Sequence, residues 1–531
     1  MTKTLLYKSN PSVNNADWKL IVSNDYIKRS VDYLYQKYKL PSFITPYLIY
    51  KGVNLDDFDN FFTPKLKNLL PEPFKFKDLE KGVKRLVSEV IASRPIGIFG
   101  DYDVDGATSA AIISKYLEQC GCKTFIHIPD RFLEGYGPNE KALKSLHEKG
   151  LKLIITVDCG ISSFEPLQAM NSVDIDVIVI DHHIPDTKLP PAYAIINPKR
   201  DDTEKGYEDL CAAGVTFIFL IGLNRELRKQ GFFKNKVEPN LFKFLDLVAL
   251  GTICDVVPLN NLLNRALVKQ GLYIMKRREN IGIKALSDVS KINSAPNTQS
   301  LGFSLGPRIN AGGRIGNSKL GVNLLKENNE SKAIEKAIKL DELNKKRRFL
   351  TTQLESKVIG LIEKIKNKND ARVPNAIVVD GDDFHQGITG IVAGRMKELY
   401  NRPVCLISIN DGIGKGSGRS IYGVPLGEII LEALNLKIIK TGGGHDMAAG
   451  FTIDPSQINN FDIFLNDKVS YFMEKGVPRY SYIVTSVIPI SACTLEIAEW
   501  LEKLGPWGTG MEEPKFIVPN SKISSFKRFG S

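Results

Sequence analysis

Three short apolar runs in this chain each end in an acid. Ile96-Gly97-Ile98-Phe99 leads into Gly100-Asp101-Tyr102-Asp103-Val104-Asp105-Gly106, Leu153-Ile154-Ile155-Thr156-Val157 into Asp158, and Val177-Ile178-Val179-Ile180 into Asp181-His182-His183. Apolar runs this short, rich in β-branched residues, read as strands buried on both faces. An open parallel sheet gathers the carboxyl ends of such strands at one crevice. The repeat therefore predicts a doubly wound α/β sheet that carries oxygen and imidazole ligands along one edge.

A divalent Mg²⁺ or Mn²⁺ takes oxygen ligands with some imidazole, and a pair of such ions needs roughly five or six protein ligands. Asp103, Asp105, Asp158, His182 and Asp255 supply five, with Asp101, Asp181 and His183 as further candidates. Asp255 follows an apolar helical stretch, 242–250, that points a carboxylate toward the same crevice. Taken singly, each aspartate is equally a turn former or a helix N-cap, and Gly106 with Thr108 suits capping. Three acids at alternate positions are different, because uncompensated carboxylates that close raise one another's pKa. His182 and His183 alone could be hydrogen-bonded structural residues; on an irregular segment they point different ways, one toward metal and one toward a substrate phosphate. Asp181 would orient an imidazole from behind.

The net charge of +11 over 531 residues suits a polyanionic partner without identifying it. Seven scattered cysteines lack a Cys-x-x-Cys pair, so they read as reduced packing residues rather than a disulfide framework or zinc ribbon. Residues 1–15 are polar, and no apolar run approaches the roughly 18–20 residues that span a bilayer, which predicts a soluble, unexported, cytoplasmic chain without a membrane partner.

The same residues resemble the DHH phosphoesterase family, whose name is the triplet at 181–183, and within it the RecJ branch of bacterial single-stranded-DNA-specific exonucleases. Gly100 to Thr108 is similar to the family's first motif, Asp158-Cys159-Gly160 to its second and Gly251 to Pro258 to its fourth. The Asp-x-Asp-x-Asp wording separates this branch from the pyrophosphatase and oligoribonuclease branches. Further similar segments are Ile128 to Arg131 with Gly135-Tyr136-Gly137, Gly306 to Arg314, His385 to Ala393, Gly416 to Ser420, Gly442 to Gly450 and Gly505 to Pro514.

The resemblance implies one or two Mn²⁺ or Mg²⁺ ions on Asp101, Asp103, Asp105, Asp158, His182 and Asp255, with His183 also catalytic and Asp181 behind it. Arg131, Arg308, Asn310 and Arg314, then Ser417, Arg419, Gly443, Gly444 and His445, would meet DNA phosphates across a cleft. It implies a 5′-to-3′ exonuclease that releases 5′-mononucleotides in DNA repair and recombination. It also implies a monomer with a single-stranded-DNA-binding protein and a recombination helicase as partners. The alternatives are a nanoRNA or cyclic-dinucleotide phosphodiesterase, against which length counts, and a catalytically dead scaffold, against which the filled ligand positions count.

The expected organisation is a helical N-terminal extension (1–75), a DHH domain (76–325), a long connecting helix (326–372), a smaller α/β DHH-associated domain (373–475) and the incomplete start of an oligonucleotide-binding fold (476–531). Glycine-rich stretches at 412–418 and 442–444 read as turns. Lys345-Lys346-Arg347-Arg348 reads as a solvated face of the long helix.

Overall fold

The computed structural model describes residues 4–6, 16–173, 175–368, 370–476, 481–522 and 524–527; most of the polar leader and the terminal Phe529-Gly530-Ser531 lie outside the described residues. The chain forms two compact units, one from residues 1–341 and 481–531, the other from 342–480.

In the first unit β1 (Ile96–Gly100), β2 (Thr124–His127), β3 (Leu153–Val157), β4 (Asp176–Ile180) and β5 (Ala194–Ile196) form a parallel sheet in the order β2-β1-β3-β4-β5. Period-two alternation sends successive side chains to opposite faces. Ile98, Ile155 and Ile178, paired across three strands, enter one core with helices Leu79–Ile91, α1 (Val104–Gln119) and α2 (Ala212–Lys229). Phe99, Ile154, Val177 and Val179 enter another with Glu140–His147 and Phe164–Asn171. Each such buried side chain contributes about 1.5–3 kcal/mol, so both faces resist a register slip. The strand order reverses between β1 and β3, and their carboxyl ends, bearing Asp101 and Asp158, flank the resulting crevice.

Helix α3 (Leu245–Cys254) is apolar nearly all round and buried accordingly. A π-helical turn, Leu301–Leu305, runs into α4 (Gly306–Ile315). The expected connecting helix is α5 (Glu330–Lys368), 39 residues and about 58 Å at 1.5 Å per residue. Its Ala333, Ala337 and Leu340 belong to the core of the first unit, and its Leu354, Val358 and Ile362 to the second.

The first 75 residues are not simply a helical preamble. Strands Thr4–Leu6 and Asp17–Ile21 join Ser481–Val487 and Lys515–Ile517 in one four-stranded sheet. Pairing over more than 450 residues of chain separation leaves no local signal. The buried guanidinium of Arg265 fastens this region, donating to the carbonyls of Phe61 (2.9 Å), Gly505 (2.8 Å) and Pro506 (3.0 Å) and lying 3.9 Å from the Phe61 ring centre. Carbonyl acceptors on all sides make its burial tolerable.

In the second unit β6 (Ile377–Gly381), β7 (Val404–Asn410), β8 (Ile413–Arg419), β9 (Thr441–His445) and β10 (Ala448–Ile453) form a mixed sheet in the order β9-β10-β8-β7-β6. The two glycine-rich stretches expected as turns are thus strands β8 and β9. At Gly416 a Cβ would stand 2.2 Å from the Phe451 ring, so the glycines admit a close cross-strand aromatic that a side chain would exclude.

All seven cysteines are free. Among the described residues no helix is long and apolar enough to cross a membrane.

Candidate metal centre

Asp103 begins the centre as the N-cap of α1, its Oδ1 accepting from Gly106 N at 3.0 Å. The capping role and a ligand role coexist, since one carboxylate oxygen serves the helix. Gly106 is required by close approach: a Cβ there would lie 2.5 Å from the Asp101 carbonyl oxygen. Asp105, the second residue of α1, is buried and accepts from Ala212 N (2.6 Å) and Ala213 N (2.9 Å), the first amides of α2. Helix α2 is therefore capped by a residue 107 positions earlier, and its N-terminus partly offsets a carboxylate facing the crevice.

Asp158 follows β3 in a left-handed conformation (φ 61°), held by its amide donating to Ile180 O at 3.0 Å. Asp255 is the C-cap of α3. His182 joins these acids: its Nε2 lies 3.3 Å from Asp158 Oδ1 and 3.9 Å from Asp105 Oδ2, and its Nδ1 lies 3.6 Å from Asp255 Oδ2. Three overlapping sets hold ligand atoms within 4.8 Å of one another, namely Asp101/Asp103/Asp158, Asp105/His182/Asp255 and Asp158/His182/His183. Asp158 and His182 are common to two sets each, the arrangement a pair of ions sharing ligands would need.

The electrostatics fit cations. Burial first, then Asp103, pushes Asp105 up to about 7; burial, then Asp105, pushes Asp255 up to about 8. Asp101 and Asp158 are also driven well above the carboxylate range by burial and then by Asp103. Burial, then His183, lowers His182 to about 3, leaving a neutral ring with a lone pair to offer. Asp101 Oδ1 and His182 Nε2 are buried without a hydrogen-bond partner, a cost of about 1–3 kcal/mol each that coordination would relieve.

Asp181 stands apart from this group. Wholly buried, it accepts from Ile161 N (3.0 Å), His182 N (2.7 Å), His183 N (3.1 Å) and His183 Nδ1 (2.8 Å). Burial pushes its pKa up, but the bond from His183 and the backbone amides hold it below the usual carboxylate range. The same bond outweighs burial at His183 and raises that imidazole. With Nδ1 donating to Asp181, Nε2 is turned to other work on a half-exposed ring.

Two residues not assigned from sequence join here. The Tyr136 hydroxyl lies 3.3 Å from His183 Nδ1, ring edge against ring, and Asn197 Nδ2 donates to the His183 carbonyl at 2.9 Å. Asn197 follows β5, so a fourth apolar run ending in a polar residue was the signal.

The arginines divide. Arg131 lies 5.3 Å from the centre of the Tyr102 ring, and its charge, like that of Arg314, acts on that phenol. Asn310 and Arg314 lie one turn apart on α4 and are half-buried. Arg308, expected on phosphate, gives its Nε to Asp341 (2.9 Å) and its Nη1 to Ser304 O (2.8 Å), fastening α4 to α5 about three turns into that helix. In the second unit Ser417 accepts from the Thr389 hydroxyl at 3.2 Å, and Arg419 Nη1 donates to Gly418 O at 2.7 Å. Gly443, Gly444 and His445 lie on the edge strand β9.

Family models match along the chain: DHH family, N-terminal domain, over residues 95–252; DHHA1 domain over 373–470; RecJ OB domain over 484–531. The single-stranded-DNA-specific exonuclease RecJ of Haemophilus influenzae is 36% identical over 457 residues, covering 85% of this chain and 79% of the relative. Crystal structures of RecJ from Thermus thermophilus superpose with a TM-score of 0.78 for the Mn²⁺ complex (27% identity) and 0.71 for the Mg²⁺ complex (25% identity). Each covers 94% of this chain, and the chain covers 68% and 67% of them. A carboxylate-rich crevice at the switch point of a parallel sheet, with these matches in this order, places the chain in the RecJ family of DHH phosphoesterases.

Proposed function

We propose that this chain hydrolyses single-stranded DNA from its 5′ end, using Mn²⁺ or Mg²⁺ and releasing 5′-mononucleotides. The observation that carries the reading is the set of three overlapping ligand groups converging on Asp158 and His182 in a member of this family. Asp101, Asp103, Asp105, Asp158, His182 and Asp255 would hold one or two ions. Bound there, such an ion supplies Lewis acidity that lowers the pKa of a water and offsets charge on the phosphate.

The chain's own residues do the rest. Asp181 fixes the His183 ring, whose Nε2–H in the cationic form donates to the phosphate under attack or to the departing oxygen. Arg131 and Arg314, flanking Tyr102, draw the phosphodiester toward the acids and offset their repulsion for a polyanion. Ser417, Arg419, His445 and the backbone amides of the edge strand at Gly443 and Gly444 bind further phosphates, since an edge strand leaves one row of amides unused by its sheet. The same reading includes a cytoplasmic monomer working with a single-stranded-DNA-binding protein and a recombination helicase.

End-labelled single strands with Mn²⁺, with and without chelator, test it. Labelled mononucleotide appears in the first turnover from the 5′ label and only late from the 3′ label, and chelator stops both. Early release from the 3′ label alone refutes the polarity. Rapid turnover of a dinucleotide with a long strand left intact assigns the chain to small substrates instead.

A further inference from the structure

One surface of the second unit is acidic although the chain as a whole carries a net charge of +11. Between helix Leu426–Asn435 and helix Ile458–Glu474 lies a groove of about 540 Å³. Its lining includes Glu428, Glu432, Asp467 and Glu474 against one lining cation, Lys468, whose Nζ is 2.6 Å from Glu432 Oε1, while Lys475, just beyond, places its ammonium 3.9 Å from the Tyr471 ring centre. Glu428, Asp467 and Glu474 have no ion-pair partner among the described residues. The floor is apolar: Ile429 is buried in the core and the half-buried Phe472 packs against it.

The walls are patterned. On the longer helix Ile463, Asp467, Tyr471 and Glu474 recur at spacings of four, four and three, so they share a face. On the shorter one Glu428 and Glu432 are a turn apart and Leu436, at its C-terminal cap, continues the row. Leu436, Ile463 and Tyr471 are each more than half exposed, and Tyr471 lines the groove itself. Acids alternating with exposed apolar side chains beside an apolar floor repel a nucleic acid backbone. They complement a helix that carries the opposite alternation.

The geometry points to this groove as the docking site for a cationic amphipathic helix of a protein partner, seated by apolar side chains at i, i+3 or i+4 and i+7 and steered by lysines or arginines. The shorter wall is ten residues, about 15 Å, which accommodates about three turns of such a helix. The excess of +11 over the whole chain makes the choice of partner sharper, because a surface meant for DNA would carry the sign the rest of the protein has.

The probe is a synthetic helical peptide with leucine on one face and lysine elsewhere, with a glutamate counterpart, titrated into the full chain by fluorescence anisotropy. The lysine peptide binds, more weakly as salt rises, and the glutamate peptide does not. The exposed double substitution Glu428→Lys with Asp467→Lys, which lowers the melting temperature by no more than about a few degrees because Glu428 lies in the first turn of its helix, weakens the lysine peptide by about tenfold or more, as does Tyr471→Ala. Binding that is indifferent to these substitutions, or equal for both peptides, overturns the assignment. So does a dimer in light scattering that the double substitution dissociates, which gives the groove to a second copy, or displacement of the peptide by oligothymidylate.

Discussion

The most discriminating perturbation is Asp181→Asn, because it changes no atom that faces a metal yet breaks the order behind His183. The Asp181 carboxylate receives four N–H donors, three at Oδ1 and one at Oδ2. An asparagine oriented to keep its oxygen toward the histidines turns its NH₂ against Ile161 N, leaving two buried donors face to face. At about 1–3 kcal/mol for each unsatisfied group, with the surviving bonds losing charge assistance, the loss is roughly 3 kcal/mol, or some 6 °C at about 2 °C per kcal/mol for a large domain. The imidazole loses both its orientation and the carboxylate that raises its pKa, so kcat on a 5′-labelled single strand falls by about 10²-fold, the upper end for a residue behind a metal site. The sign of the pH effect follows from the direction of the shift. Asp181 raises the His183 pKa, so protonated His183 persists to higher pH in the parent than in the variant, and the descending limb of kcat moves to lower pH in Asp181→Asn. Mn²⁺ titration by calorimetry should change by less than about tenfold, because Asp158, His182 and the other acids keep their atoms. A variant with parent-like kcat and an unshifted limb refutes the role assigned to His183. One with normal melting but no Mn²⁺ binding moves Asp181 into the coordination sphere.

Asp158→Asn abolishes cleavage while single-stranded DNA binding stays within about threefold, measured by anisotropy in chelator; asparagine is chosen over alanine because Asp158 sits at φ 61°, where non-glycine residues other than Asn and Asp pay about 1–2 kcal/mol. Retained cleavage would remove Asp158 from the centre. Away from the site, burial pushes Asp246 up to about 7. Between about pH 4 and pH 7 the folded chain keeps a proton the unfolded chain has lost, so stability falls as pH rises, by at most roughly 4 kcal/mol. Denaturant melts of Asp246→Asn with Mn²⁺ present should lack that part of the slope; parallel slopes in parent and variant would show that Asp246 ionises normally.

The sheet edge was legible because the apolar runs are too short for helices, are buried on both faces, and place the acid at the first or second residue past the strand, where the chain enters the crevice. What escaped reading was non-local. Nothing near Asp105 announces that its oxygens cap a helix beginning at Ala212, and nothing in residues 17–21 announces pairing with residues 481–484. Arg308 has the chemistry of a phosphate fork, but Asp341, on the next long helix, claims it. The glycine-rich stretches misled for a related reason. Glycine suits a turn through its backbone and a strand through its missing side chain, and only the position of Phe451 decides between them at Gly416.

The two histidines at the strand end show how one buried acid makes different instruments of identical rings. His183 meets Asp181 directly, so its Nδ1 proton is fixed and its pKa raised. His182 receives no such bond from Asp181, which spends an oxygen on the backbone amide of His182 instead. That amide bond orients the peptide so that the ring turns toward Asp105, Asp158 and Asp255, none within 3.2 Å. A cationic His182 among these acids would be stabilised by them, yet burial and the neighbouring raised imidazole hold it neutral. Burial and then one another's charge, Asp103 acting on Asp105 and Asp105 on Asp255, push the carboxylates around it to keep protons of their own. Loading a divalent cation must then expel those protons, so metal affinity rises with pH through the range in which Asp105 and Asp255 titrate, about 7 to about 8. Calorimetric Mn²⁺ titrations across that range check this: affinity that does not change with pH would show that Asp105 and Asp255 are already ionised before the cation arrives.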